Sequence, residues 1–220
     1  MSLLRFRYQT IEFENTDIHV RTLRDRQQYS DSDNVASKLG ISSANWSLFG
    51  IIWASEEILA RLMYSYEIKG KRILEVGCGI ALASLVLNHR LADITATDYH
   101  PEVENFLLEN NKLNCLREIP FIRTGWNDEI TNLGKFDMII GSDILYERGH
   151  ADLLANFIDQ HARRHCKIII IDPGRKHHPS FSKNMASLGY SHSHRKPENI
   201  DDLTQPIRGS NRFQILCYNR

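Results

Sequence analysis

Glu75-Val76-Gly77-Cys78-Gly79 stands between a short apolar run and a helix-like segment, and Asp98 is the first carboxylate beyond the next apolar run. Glycines at such a junction let the backbone turn sharply and let a ligand lie against the main chain. A carboxylate at the end of the following strand can accept hydrogen bonds from both hydroxyls of an adenosine ribose. Together they predict an adenosine-containing cofactor in the crevice where strand order reverses. A nicotinamide dinucleotide would ask for a small residue at position 82, and a helix N-terminus for its pyrophosphate. Leu82 stands there, which favours S-adenosylmethionine, a cofactor without phosphate.

The elements that must hold these residues read clearly from position 71 onward. Apolar strands are expected at 72–76, 93–98, about 120–124, 136–141 and 167–171, with helices near 81–90, 101–113 and 150–163 between them. Continuous apolar runs suit strands covered on both faces, and the β-α-β-α rhythm predicts a parallel, doubly wound α/β sheet. After a helix at 180–188, strands at 190–195 and 212–218 leave no room for a crossover helix and should pair antiparallel. The polar loop between them carries Pro197 and Pro206. Ahead of the sheet, 5–13 and 18–22 alternate apolar with polar around Asn15-Thr16-Asp17 and read as an exposed hairpin. Residues 24–43 are polar and irregular, and 51–66 read as an amphipathic helix with Trp53 on its apolar side.

The chain has 220 residues, 42% of them apolar and 25% charged, the composition of an ordinary globular protein. An extension over 1–45 and one domain over 46–220 is the expected division. Lys+Arg and Asp+Glu both number 27, which speaks against a protein that grips nucleic acid or an anionic membrane through its overall field. The four cysteines form no C-x-x-C pair. No signal peptide is evident, and the longest apolar runs fall far short of the ~20 residues a membrane span needs; a cytoplasmic location is expected. His177-His178 and His192-x-His194 lack Cys or acidic partners, and His161 and His165, four apart on the expected helix, lack a metalloprotease glutamate. No metal site is therefore expected. The run from Ala162 to Lys167 reads as a basic helix end and Asp137 as the fixing point of its strand.

Glu75-Val76-Gly77-Cys78-Gly79 with Asp98 resembles the first two cofactor motifs of class I, seven-β-strand, S-adenosylmethionine-dependent methyltransferases. Gly125-Trp126-Asn127 is similar to the segment that borders the adenine in that class. Ser142-Asp143-Ile144-Leu145-Tyr146 resembles the D-x-x-Y/F motif of the protein-lysine methyltransferase-like branch, and Gly50 with Trp53 matches its G-x-x-W element. Asp172-Pro173-Gly174-Arg175 resembles a segment of some bacterial members and of the electron-transfer-flavoprotein lysine methyltransferases. Ile80-Ala81 departs from the Thr-Gly that many members carry.

The resemblance implies a seven-stranded Rossmann-like sheet with an antiparallel last strand. It also implies in-line transfer of the sulfonium methyl to a protein side chain, most simply a lysine amine. The cofactor would lie on Trp53, Glu75, Gly77, Cys78, Gly79, Asp98, Trp126 and Ser142. Asp143 would orient the acceptor amine or take its proton, and Tyr146 would form a wall of its pocket. A small molecule or an RNA is the rival acceptor, and an NAD-dependent oxidoreductase or an inactive binding module the rival of another class. Packing alone would also explain Trp53, Trp126 and Tyr146, and capping alone Asp98 and Asp143. Residues 24–38 could fold over the cofactor as a lid.

Overall fold

Continuous apolar strands dictate the sheet. The computed structural model describes residues 4–128, 132–147, 149–197 and 212–220. Its strands are β1 (Phe6–Phe13), β2 (Thr16–Leu23), β3 (Arg72–Val76), β4 (Asp93–Asp98), β5 (Phe121–Arg123), β6 (Phe136–Ser142), β7 (Ala162–Asp172), β8 (Ser191–Arg195) and β9 (Gln214–Asn219). Seven of them form one sheet in the order β5-β4-β3-β6-β7-β9-β8. Strands β5, β4, β3, β6 and β7 pair in parallel, while β9 lies antiparallel between β7 and β8. Chain order therefore reverses direction between β3 and β6, the place where such sheets open a crevice at their carboxyl ends.

The longer helices are α3 (Ala54–Ser65), α4 (Leu82–His89), α5 (Val103–Leu113), α6 (His150–His161) and α7 (His178–Ser187); short turns α1 (Val35–Lys38) and α2 (Ser43–Trp46) precede them. One apolar layer packs α3, α4 and α5 on the sheet, and a second packs α6 and α7 on its other face. Ile73, Ile94, Met138 and Ile169 of one layer and Leu74, Ile139, Ile168 and Ile170 of the other are almost fully buried, as strands covered on both sides require. Among the described residues no helix is long and apolar enough to cross a membrane.

Four expectations change. The hairpin β1–β2 is not an exposed one: Ile11, Ile18, Val20 and Leu23 are buried in the core that holds α4 and α5. The free edge of β2 is closed by two asparagines one turn apart, one in α5 and one capping its end. Asn110 Oδ1 accepts from Arg21 N–H at 2.7 Å, and Asn114 both accepts from His19 N–H at 2.8 Å and donates to His19 C=O at 2.6 Å. Their amides supply the pairing a third strand would have supplied.

Residues 162–166 are strand rather than helix end. Phe136 pairs with Ala162, and Arg163 Nη1 reaches both carboxylate oxygens of Asp137 at 2.9 Å. Asp137 also accepts from Arg72 N–H at 2.9 Å, tying the starts of three strands together. His165 consequently sits exposed on β7, away from His161, which is buried and bonded through Nδ1 to Gly134 C=O at 2.9 Å. The pair expected on one helix face is not on one element.

Trp53 precedes its helix, with extended backbone at φ −92° and ψ 151°, so its ring is set by the loop and not by helical period. Within 24–43, Asp31 holds α1 by accepting from Ala36 and Ser37 N–H at 2.9 and 2.8 Å. Pro206 lies outside the described residues.

Candidate active site at the carboxyl end of β3, β4 and β6

The Gly77–Gly79 turn is tied to its surroundings at each step. Cys78 N–H donates to Thr97 C=O at 3.0 Å, Thr97 Oγ1 donates to Glu75 C=O at 3.0 Å, and Gly79 N–H donates to Asp98 Oδ2 at 2.9 Å. Asp98 Oδ1 accepts from His100 N–H at 2.8 Å. The Tyr99 N–H also draws on this carboxylate, which keeps acceptor capacity for a further donor. Gly77 has φ +62°, and a Cβ there would stand 2.7 Å from Ile144 Cγ2 and 3.8 Å from Trp126 Cζ2. Gly77→Ala is expected to cost ~2 kcal/mol through left-handed backbone and crowding, lowering Tm by roughly 4–8 °C in a circular-dichroism melt.

Beneath the turn lie two buried carboxylates. Glu75 accepts from Ser84 N–H at 2.9 Å and from the Ser84 hydroxyl, and so points at α4. Glu56, at the start of α3, accepts from Leu82 N–H at 3.0 Å. Sequence reasoning missed Glu56, whose only signal was an acid in the first turn of an otherwise buried helix. Burial pushes Glu56 up to about 8 and Glu75 up to about 7; the charges of Glu75 and Asp98 add to the first, and that of Asp98 to the second. Burial raises Asp98 as well, and the Cys78 thiol well above its usual range.

The folded chain thus holds protons that the unfolded chain releases above about pH 4.5. Stability is full below that pH and falls as pH rises toward 8. Glu56→Gln keeps the acceptor for Leu82 and removes the charge. Its Tm should match wild type at pH 5 and exceed it at pH 9 by roughly 4–8 °C, for an effect on the order of 2 kcal/mol. Equal melting curves at pH 9 would contradict a buried, proton-holding Glu56.

Asp143 follows β6 with φ +51°, a conformation aspartate tolerates better than most residues. It is anchored by its N–H to Ile171 C=O at 2.9 Å. Arg175 clasps its carboxylate from the loop after β7, Nε to Oδ1 at 2.8 Å and Nη2 to Oδ2 at 2.9 Å. Asp172, buried at the end of β7, shapes that loop by accepting from Gly174 and Arg175 N–H at 2.7 and 2.8 Å. Asp143, Arg175, Trp53, Ser55, Pro173 and Phe213 share the wall of a cavity of about 340 Å³. Trp53 is fixed by Nε1 to Leu48 C=O at 2.9 Å, with the Arg26 guanidinium 4.2 Å from its ring centre.

Trp126 and Tyr146 stand on either side of His150, which meets their rings edge-on at 5.1 and 4.9 Å. Asp128 orders the Trp126 turn by accepting from Gly125 N–H at 2.6 Å. The Tyr146 hydroxyl is pushed up to about 12, by burial first and then by the charges of Asp98, Glu147 and Asp143. Ser142 ends β6, half-buried. The structure therefore brings Trp53 and Asp143 to one cavity, and sets Gly77, Trp126 and Ile144 against one another. The cavity wall does not include Gly77, Cys78, Gly79, Asp98, Trp126 or Ser142, nor Tyr146, the expected wall of the acceptor pocket, which is instead exposed beside His150, and Glu75 points at α4. Arg175, His150 and Phe213 were not legible as site residues: Arg175 meets Asp143 32 residues away and Phe213 reaches the cavity from the far end of the chain, while His150 meets Tyr146 locally with no motif to mark it.

Residues 32–187 match the family model described as lysine methyltransferase. The chain belongs to that family. It is 30% identical over 115 residues to the protein N-lysine methyltransferase METTL21A of Danio rerio, covering 47% of this chain and 52% of that protein. To the electron transfer flavoprotein beta subunit lysine methyltransferase of Mus musculus it is 29% identical over 145 residues, 64% of this chain and 54% of that one. This family member spans about half the length of these relatives. Its fold matches the ribosomal protein L11 methylase of Lactobacillus delbrueckii subsp. bulgaricus with a TM-score of 0.55 at 22% identity, over 74% of this chain and 76% of that one. It also matches the 16S rRNA N2 G1207 methyltransferase of T. Thermophilus, solved with AdoMet and guanosine, with a TM-score of 0.59 at 13% identity, over 99% and 51%.

Proposed function

We propose that this chain is an S-adenosylmethionine-dependent methyltransferase whose acceptor is a protein lysine, with residues 46–220 as its transferase domain. The observation that carries the reading is the meeting of Asp143, which follows β6, and Trp53 on one cavity, with β6 bordering the strand-order reversal. The residues fit the cofactor. The turn offers bare backbone where a Cβ would strike Ile144, and Asp98, at the end of β4, is an acceptor for ribose hydroxyls.

When bound, S-adenosylmethionine supplies a methyl on a sulfonium sulfur, which an amine lone pair takes up as the C–S pair returns to sulfur. The chain's part is placement more than acid–base work. Asp143, with both oxygens already clasped, accepts one N–H of a neutral amine and aims its lone pair. Trp53 lines the acceptor's cavity, and Tyr146, a phenol three residues on from Asp143, stands near its rim. The cytoplasm remains the proposed location and a protein the proposed partner, in line with the names that METTL21A and the flavoprotein methyltransferase carry.

Calorimetric titration with S-adenosylmethionine, S-adenosylhomocysteine and NAD, followed by methyl-tritium transfer into cell extract, tests the reading. Micromolar binding of both sulfur ligands and methyllysine after protein hydrolysis are expected. Binding of NAD alone, or label that nuclease removes, would replace it.

A further inference from the structure

Family motifs lead to Asp143 and leave Arg175 without a task, yet the two are joined by the best-formed ion pair on the cavity wall. Both oxygens of Asp143 are engaged, at 2.8 and 2.9 Å, by two nitrogens of a single guanidinium. The geometry is the planar fork that arginine makes and lysine cannot. The Asp143 side chain is 13% exposed and that of Arg175 41%, so the carboxylate lies inside and the cation stands at the mouth.

An amine attacks a methyl only with its lone pair free, and a lysine amine in water holds a proton up to about pH 10.4. A lone carboxylate on the cavity wall would bind the ammonium form and keep that proton on. A carboxylate paired to a fixed guanidinium does the reverse: it still offers an outward lone pair to an N–H, while the neighbouring cation disfavours a second positive charge.

The other groups facing the pair do not restore a negative wall. Tyr146 and Glu147 approach from the loop after β6; the first is kept a phenol, and the second is exposed and reaches the His150 ring at 3.4 Å. Asp172 at the end of β7 has its Oδ1 occupied by the Gly174 and Arg175 N–H groups, with His178 of α7 acting on it. Asp98, which acts on Tyr146 from β4, is held by Gly79 and His100 N–H. Across the cavity, Arg26 on the Trp53 ring adds a further cation.

We propose that Arg175 is a positioning residue that sets the charge state of the acceptor. By clasping Asp143 it makes the cavity wall a neutral pair with an adjacent cation, so that the site takes the neutral amine and turns away the ammonium. The displaced proton leaves to solvent through the open mouth before methyl transfer. This inference rests on the methyl-transfer reading above.

The test needs no identified acceptor. An S-adenosylhomocysteine analogue in which nitrogen replaces sulfur and carries an aminobutyl arm places a primary amine at the acceptor position. The same compound with a plain butyl arm cancels every other titration. In wild-type protein the affinity advantage of the aminobutyl over the butyl compound should grow at least roughly tenfold between pH 7 and pH 9. In Arg175→Met the advantage should stay level or shrink over that range, while S-adenosylhomocysteine affinity is retained. Arg175→Lys, which keeps the charge, should retain the rise.

Should Arg175→Met fail to fold, Arg175→Gln leaves an N–H for Asp143 without the charge and gives the same comparison. An equal rise in wild type and in the uncharged variant would overturn the inference and leave methyl transfer standing. Failure of wild type to bind S-adenosylhomocysteine would overturn the cofactor reading and the inference with it.

Discussion

Asp98→Ala should weaken S-adenosylhomocysteine binding by roughly 10²- to 10⁴-fold in calorimetry. A charged acceptor contributes ~1.5–3 kcal/mol per hydrogen bond, and two ribose hydroxyls would be left without theirs. The same substitution frees Gly79 N–H and His100 N–H, each now held within 2.9 Å, so the turn itself loses an anchor. Asp98→Asn separates the two effects. It can still accept a bond from one side, and should hold the Tm of wild type more nearly than its affinity. Unchanged affinity in Asp98→Ala would remove this residue from the ribose site.

Asp143→Asn should cut turnover by roughly 10²-fold while leaving cofactor affinity within a factor of about two. Asparagine accepts the left-handed backbone at this position, so the loop after β6 keeps its course. What changes is the clasp: an amide offers Arg175 a single acceptor in place of two charged ones. The guanidinium is then free to enter the cavity, and the amine loses the oxygen that aims it. Single-turnover methyl transfer with saturating S-adenosylmethionine reads the step directly. Normal turnover with the cofactor bound would show that Asp143 does not touch the acceptor.

Which parts of this site could be read in advance follows from the range of the forces involved. The parallel strands were legible because burial on both faces leaves unbroken apolar runs, as in Lys167 to Ile171, and the Gly77 turn because only a positive φ serves there. Asp98 and Asp143 were legible as acids at strand ends. Arg175 closes the Asp172–Arg175 motif, but its clasp on Asp143 spans 32 residues, and no local period reports such a pairing. Glu56 was hidden for a similar reason, since its partner Leu82 lies 26 residues on. The hairpin misled differently. Its alternating pattern showed one apolar face, but the cover for that face comes from α4 and α5, far along the chain, and the edge of β2 is closed by Asn110 and Asn114. At 162–166, basic residues beside a helix end matched a dipole argument, yet pairing with β6 and the Asp137 ion pair extended the strand instead.

Strand β9 is the last of the described strands to be synthesised, yet it is not at an edge; it fills the gap between β7 and β8. Until Gln214–Asn219 arrives, β7 has no partner on that side, and β8, exposed at all five positions, has none at all. Phe213, which immediately precedes this strand, and the Pro173–Arg175 loop, which follows β7, are both on the cavity wall. The Gly77 turn and Asp98 need only β3 and β4 and can form early on a growing chain. The cavity wall closes at the end, so on the proposed reading a chain interrupted before residue 213 would carry the cofactor cradle without the wall that presents a substrate to it.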